Sequence, residues 1–594
     1  MRNRTFFLLV VFLLGATGLV CRLFSISVGQ HGTLVAQAQE QQNVERDVLP
    51  RRGNVWIQDA AAGKPVLLAG SEVSYAVSAT PRNVSKKAEY AAALAGNLGV
   101  DGTQLLTTFQ ANGLYMAPLK HGLTKDAVDA LAMQLNKVEQ ATNPNYTLPK
   151  LDFDENQGGI LYYPGGVFFI REYGRVYPEG GLAGQLLGFV NDRGVGQYGF
   201  EGEYNKLLLG TPGKIQLEQD SLGTLLHQTA SIDSKDGTGY QLSLDRNVQF
   251  EVEKDLTQEI KDSGATGGSA IVMDPKTGEI MAMANTPTYS PEKFRDLARD
   301  QTSLFDNQAI SYIWEPGSIF KNIIMASALN EGLVRPETTD TFDESVTVEG
   351  HKIETALRRA YGKESMSQVL ANSDNVAMVW VANKLGNQKM HDYLDRFGFG
   401  HYSNIDLQNE TAGNLLALNK WHDIDRATIS FGQGIAVSPL QVLSAYAAIA
   451  NDGKRVTPRV VHATVGQDGQ TTLVQPEFGE QVIKPEVAKE LRNMMVYTVE
   501  FAHNRAGTAG YKIGGKTGTA QIPDPVNGGY IADAYNHSFV GIGPSDNPRY
   551  VVLVKIDHPD LKKVGLYAEG TAVPLFGKIS TFLLNYYQIH PTNK

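Results

Sequence analysis

An uncharged apolar run near the N-terminus decides on which side of a membrane the rest of the chain can fold. In MRNRTFFLLVVFLLGATGLVCR, no charge interrupts the 17 residues from Thr5 to Cys21, the short end of the ~17–25 that cross a bilayer as a helix. Leu23 to Val28 extend the run when Arg22 carries its guanidinium out to the interface. Arg2 and Arg4 stand before it and a long chain follows, which places the N-terminus inside. A cleaved leader would need a small-x-small site close behind. Ala36-Gln37-Ala38 lies too far downstream, and Val20 is not the small residue that a lipid-modified Cys21 requires. The expectation is a cytoplasmic tail at 1–4, a transmembrane helix at 5–28 retained in the cytoplasmic (inner) membrane, and everything after it outside the cytoplasm.

The chain of 594 residues is too long for one ordinary domain. Its net charge of -10 gives no electrostatic case for nucleic acid. Cys21 is the single cysteine, which excludes internal disulfides and cysteine-ligated zinc. No metal site or nucleotide loop stands out, and no cofactor is expected. Residues 29–50 are polar and Gln-rich and read as a stalk. Residues 51–225 mix strand-like pieces (SYAVSAT, GVFFI) with helical ones (EYAAALAGNLG). The polar, turn-rich HQTASIDSKDGTG marks a linker at 226–240. Beyond it the pattern sharpens. Val248, Val252, Leu256 and Ile260 recur every fourth residue, an amphipathic helix. GSAIVMD and EIMAMAN read as two strands across a turn, HSFVGIG and RYVVLVKID as two more, and AVPLFGKISTFLLNYY as a closing helix. One α/β domain at 241–590 is expected.

Three short signatures of serine acyl transfer occur twice each in this chain. Lys-Thr-Gly stands at 276–278 and 516–518, Ser-x-x-Lys at Ser290–Lys293 and Ser318–Lys321, and Ser-Asp-Asn at 373–375 and 545–547. Context sorts them. Lys276 fills a turn between two strands, Ser545-Asp546-Asn547 fills another, and Ser290 precedes a proline in a loop. Lys516 instead sits in a strand with three glycines, where something can lie alongside. Ser373-Asp374-Asn375 joins two helical stretches, and a helix cap explains it as well as catalysis does. Pro316 and Gly317 place Ser318 at a helix N-terminus, with Lys321 one turn on along the same face. A serine hydroxyl needs a base. Burial and a neighbouring cation such as Lys516 push a lysine towards the neutral form that can act as one. An N-capping serine with a lysine beside it is the alternative.

With these motifs the chain resembles a class B penicillin-binding protein, a membrane-anchored peptidoglycan transpeptidase, over nearly its whole length. RRGNVW, RVYPEGGLAGQLLGFV and GQYGFEGEYNKLLLGTPG are similar to the family's pedestal motifs. GSAIVMDPKTGEIMAMANTPTYSP, EPGSIFK, SDN, SFGQGIAVSPLQ, GGKTGTAQ and GTAVPLF resemble its transpeptidase domain in order, and GGYIADAYNHSFVGIGP is more like the division-specific subgroup. The resemblance implies an α+β serine penicillin-recognising fold, an antiparallel sheet flanked by helices. It is preceded by an elongated mixed α/β pedestal of the dimerisation type at 51–225 and the one transmembrane helix.

It also implies roles. Ser318 would attack a D-Ala-D-Ala stem with Lys321 as base. Ser373 would shuttle a proton, Asn375 hold the substrate amide, and Lys516 tune the field. Thr517, Gly518 and Thr519 would form the substrate-binding strand, and the N–H groups of Ser318 and Thr519 the oxyanion hole. Peptidoglycan stem peptides (donor and acceptor amine), β-lactams, a membrane glycan polymerase and other divisome or elongasome proteins are the implied partners. A β-lactamase would use Glu410 to activate water, but a Glu-x-x-Gly turn is usual here in penicillin-binding proteins, and an anchor with a pedestal has no use in a secreted hydrolase. A non-catalytic scaffold would not need the intact serine and lysines.

Overall fold

The computed structural model describes residues 2–35, 43–111, 117–146, 160–163, 166–219 and 225–591. It divides into two units, each made of several chain segments.

The smaller unit takes in Met1–Arg52, Ser71–Arg175 and Gly210–Gly237. Its first element is a helix, Arg2–Phe24, continued by a π-helical stretch, Ser25–Gly29. Together Asn3–Gly29 is long and apolar enough to cross a membrane. Further on, helices Lys87–Leu98, Gly102–Gln110 and Lys125–Gln140 share a core of Tyr90, Leu94, Phe109, Leu131 and Leu135 with Val77 and Phe169 from neighbouring strands. Asp101 and Thr124 cap two of these helices by accepting backbone N–H bonds from Thr103 (2.7 Å) and Ala127 (3.2 Å). A three-stranded antiparallel sheet places Gly213–Gln219 between Asn43–Val48 and Leu225–Ile232. Two stretches read from sequence as stalk (29–50) and linker (226–240) therefore each contribute a strand. Polar strands lack the apolar alternation that betrays a half-buried one, and ladder hydrogen bonds need no particular side chain.

The larger unit takes in Gly53–Gly70, Val176–Leu209 and Thr238–Lys594. It reaches further back than the expected start at 241. Val55–Gln58 pairs in parallel with Gly239–Asp245, and Leu182, Leu186, Leu187 and Phe200 join the same apolar core as the central helices. Its centre runs in chain order as α1 (Arg246–Ser263), β1 (Gly267–Met273), β2 (Ile280–Thr286), α2 (Lys321–Asn330), α3 (Met366–Asn372), α4 (Asn375–Phe397), α5 (Pro439–Ala450), α6 (Pro485–Ala502), β3 (Gly514–Pro523), β4 (Tyr530–Gly543), β5 (Tyr550–Asp557) and α7 (Ala572–Tyr586). The strands form one antiparallel sheet in the order β2–β1–β5–β4–β3.

Both faces of that sheet are covered, so its central strands are buried along their length. The period of two sorts their side chains. Ala270, Val272, Val552 and Val554 meet the stripe of α1 (Val248, Val252, Leu256) and α7 (Phe576, Ile579, Leu583). Ile271, Met273, Val551 and Leu553 face the other core with α2, α5 and α6. Asp245 starts α1 by accepting from the N–H groups of Asn247 (3.0 Å) and Val248 (3.2 Å), and Gly264, at φ 67°, ends it. Helix α2 is buried on every side from Lys321 to Leu329, which makes it the core rod of the unit. The edge strand β3 presents its outer side to a cleft.

Candidate active site

The nucleophile candidate is set by backbone. Ser318 lies on a 3₁₀ turn, Gly317–Phe320, that runs straight into α2. Gly317 has φ 62°, a left-handed conformation that glycine adopts without strain. A Cβ there would stand 3.1 Å from the Ala520 Cβ on β3. From the other side, a Cβ on Gly518 would press on Ser538 and come within 2.9 Å of the Pro316 carbonyl oxygen, and one on Gly432 would strike the Gly317 carbonyl. Three glycines thus let strand, turn and loop meet main chain to main chain. Beneath the turn, Tyr446 donates its hydroxyl proton to the Ile319 carbonyl (2.5 Å) and accepts from Asn322 (3.1 Å).

Ser318 is half-buried and lines a cleft of about 530 Å³ with Ser373, Asn375, Thr517, Thr519, His503 and Glu569. Its hydroxyl takes part in no hydrogen bond among the described residues. Lys321 and Lys516 are wholly buried beside the cleft. Lys321 Nζ contacts the Ser373 carbonyl oxygen (2.6 Å), Ser373 Oγ (3.1 Å) and Asn375 Oδ1 (2.8 Å). Lys516 Nζ reaches the same Ser373 Oγ (3.0 Å) and Thr517 Oγ1 (3.3 Å). One hydroxyl therefore bridges two amines. Asn375 is committed on both sides of its carboxamide, since its Nδ2 donates to the Glu354 carbonyl (3.0 Å), which leaves one N–H proton for a substrate.

The electrostatics follow from burial. Loss of water brings Lys516 down to about 8, although Glu569 pulls the other way. Burial takes Lys321 well below the ordinary amine range, and the Lys516 charge pushes it further, against the pull of Asp374. A neutral Lys321 donates two protons, which the Ser373 carbonyl and Asn375 Oδ1 accept, and it keeps a lone pair. Ser373 can then accept from Lys516 and donate to Lys321.

The Ser-Asp-Asn tripeptide divides its labour. Asp374 is the cap, accepting from the N–H groups of Val376 (2.7 Å) and Ala377 (3.1 Å) at the start of α4. Ser373, in the left-handed region at φ 56°, turns the chain out of α3. Below them Asn372 donates to Glu364 (2.5 Å). Burial and Asp374 raise the Glu364 carboxyl to about 7, so two bare carboxylates are not forced together.

The second copies of the motifs lie elsewhere. Lys276 is exposed in the turn between β1 and β2 and donates to Asn547 of the β4–β5 turn (3.0 Å). Lys293 is exposed. Glu410 is not a wall of the cleft, and its carboxylate closes a loop by accepting from Ser403 N–H (2.7 Å) and Asn404 N–H (3.1 Å). Sequence reasoning did not single out His503, Glu569, Tyr361, Arg358 or Arg359, all of which line the cleft. GTAVPLF, read as a transpeptidase segment, follows directly on Glu569, so only its neighbourhood carried a signal.

A five-stranded antiparallel sheet flanked by helices, with Lys321, Ser373 and Lys516 hydrogen-bonded beside the cleft that Ser318 lines, is the fold of a serine penicillin-recognising domain. The chain belongs to the class B penicillin-binding proteins: residues 268–581 match the penicillin binding protein transpeptidase domain, and residues 47–242 match the penicillin-binding protein dimerisation domain. It is 30% identical, over 100% of its own length and 97% of the relative's, to the probable peptidoglycan D,D-transpeptidase PbpC of Pseudomonas aeruginosa. To penicillin-binding protein PbpB of Mycolicibacterium smegmatis it is 32% identical over 70% of its length, and it spans 65% of that relative. The crystal structure of penicillin binding protein 3 from Mycobacterium tuberculosis, complexed with aztreonam, is similar with a TM-score of 0.63 at 31% identity, covering 71% of this chain and 93% of the other.

Proposed function

We propose that this chain is a peptidoglycan D,D-transpeptidase working through an acyl-enzyme on Ser318. The observation that carries the reading is Ser373 Oγ held at 3.1 Å and 3.0 Å by two buried amines, Lys321 and Lys516, in the cleft that Ser318 lines. The Ser318 hydroxyl attacks the penultimate D-Ala carbonyl of a stem peptide, and its proton passes to the lone pair of neutral Lys321. That hydrogen bond forms in the substrate complex, where it displaces the one that Ser373 donates to the same lone pair in the free enzyme, since catalytic contacts tighten on binding. The N–H groups of Ser318 and Thr519 steady the oxyanion. Ser373 relays the proton to the leaving amine, the peptide bond breaks, and free D-alanine departs. The amine of a second stem then attacks the ester, regenerating Ser318 and leaving a crosslink. Lys516, Thr517 and Thr519 receive the terminal carboxylate, Gly518 lets the peptide lie close, and Asn375 offers its remaining N–H. A β-lactam acylates the same serine.

The N-terminal helix serves as a single-pass anchor with its N-terminus inside and the larger unit outside the cytoplasm. The likeness of GGYIADAYNHSFVGIGP to the division-specific subgroup favours septal wall synthesis, beside a membrane glycan polymerase and other divisome proteins. A fluorescent fusion gathered at midcell supports this, and one spread along the side wall supports an elongation role.

Labelling with a fluorescent penicillin tests the chemistry. Ser318→Ala abolishes the label and Ser290→Ala keeps it. A label that survives Ser318→Ala overturns the assignment, and rapid turnover of the bound drug in place of a long-lived acyl-enzyme makes the protein a hydrolase.

A further inference from the structure

His503 has no part in the acyl-transfer reading, yet it is built into the carboxylate end of the cleft. It follows α6, its backbone N–H bonded to the Val499 carbonyl (3.0 Å), and its side chain is 5% exposed. Phe539 covers the ring edge-on at 6.3 Å. Nδ1 lies 3.1 Å from Glu569 Oε1, an ion-pair distance off the line of a good hydrogen bond. Nε2 lies 3.3 Å from Thr517 Oγ1. Glu569 and Lys516 are the titratable groups whose fields act on the ring. Arg505 is spent on the Glu569 carbonyl (3.2 Å).

The chain Glu569–His503–Thr517 has two proton arrangements. A neutral ring keeps its proton on Nδ1, towards the carboxylate, so Nε2 is an acceptor. The single Thr517 proton is then drawn into Nε2, and Lys516 occupies the oxygen from the other side. Nothing on that hydroxyl is left to donate into the cleft. A doubly protonated ring donates from Nε2 to Thr517 Oγ1, and the hydroxyl proton is released outward to an anion. Burial and the Lys516 charge hold His503 below its ordinary range despite Glu569, so the free enzyme rests in the first arrangement at neutral pH.

We propose that His503 is a positioning residue that couples recognition of a ligand carboxylate to uptake of one proton, by turning the Thr517 hydroxyl from the ring towards the cleft. The ligand class is any acyl donor with a free carboxylate beside the scissile amide, whether a D-Ala-D-Ala stem or a penicillin. The inference rests on the acyl-transfer reading above.

The test is the second-order constant for acylation of the full chain by a penicillin and by its methyl ester, each across pH 5–9. The ratio of the two cancels the behaviour of Ser318 and Lys321 and isolates the carboxylate. In the wild type the ratio falls as pH rises, by roughly tenfold, the worth of one hydrogen bond to a charged group. His503→Gln keeps a permanent donor near the Nε2 position, so its ratio stays high at pH 5–7 and shows only the later decline due to Lys516. His503→Phe gives a low ratio throughout. Glu569→Gln, which removes the anion that favours the charged ring, moves the decline to lower pH. Thermal melts and ester acylation within about threefold of wild type show that a variant is folded. The same decline in wild type and His503→Gln overturns the proposal. Failure of the wild type to be acylated by either compound overturns the acyl-transfer reading instead.

Discussion

Two places beside the five-stranded sheet carry the same short words in different surroundings. At one of them Lys276 of Lys-Thr-Gly and Asn547 of Ser-Asp-Asn meet across two turns, in water, bonded to each other at 3.0 Å. At the cleft, Lys516 of the other Lys-Thr-Gly and Ser373 of the other Ser-Asp-Asn also meet, at 3.0 Å, but with the amine wholly buried and a second amine on the far side of the hydroxyl. The bond lengths are equal; the difference is solvent. Lys516 is cut off from solvent, and a lysine denied water gives up its proton more readily.

Paired substitutions sharpen that contrast. The largest expected effect is at the lysines. Lys516→Ala slows acylation of Ser318 by a β-lactam by about 10²–10⁴-fold, the range of a positioned acid–base or electrostatic group, and Lys276→Ala stays within about twofold in a stopped-flow assay. Next come the serines. Ser373→Ala loses about 10²-fold in release of D-alanine from a donor peptide. Ser545→Ala, whose hydroxyl donates to the Arg492 carbonyl (3.3 Å), keeps its rate and loses about 1 kcal/mol of stability by denaturant titration. Smaller still is a shift in pH dependence. Lys321 is depressed by burial and by the Lys516 charge, so acylation rises with pH as Lys321 loses its proton. In Lys516→Gln the neighbouring charge is gone, Lys321 holds its proton to higher pH, and the rising limb moves up. A limb that stays in place in Lys516→Gln breaks the comparison, because the two amines would then be electrostatically independent.

The half of the chain that carries the motifs was the more legible, because those motifs are short, local and ordered along the chain. Ser318 and Lys321 share a turn, so i,i+3 spacing was enough. The helix expected at Ser318 begins as a 3₁₀ turn, a difference of one residue pair in the hydrogen-bond pattern. Capping and catalysis were rival explanations of Ser373-Asp374-Asn375, and the tripeptide has room for both: the aspartate caps while the serine and asparagine meet Lys321. What could not be read acts singly and at a distance. His503 ends helix α6 and Glu569 lies in a short 3₁₀ turn 66 positions on, and neither carries a periodic or motif signature. The strand at Leu225–Ile232 escaped for a related reason: it pairs with Gly213–Gln219, and its own sequence lacks an apolar rhythm.

The close contacts at glycines 317, 432 and 518 seat the Ser318 turn tightly against strand β3 and a neighbouring loop. A side chain added at any of the three would meet a neighbour closely, so the position of Ser318 is nearly closed to evolutionary drift. The rim is different: Leu357, Arg358, Tyr361 and Tyr567 line the cleft from irregular segments outside the sheet and the long helices. Resistance to a bulky antibiotic therefore has its room to arise at the rim, where shape can be altered without moving Ser318.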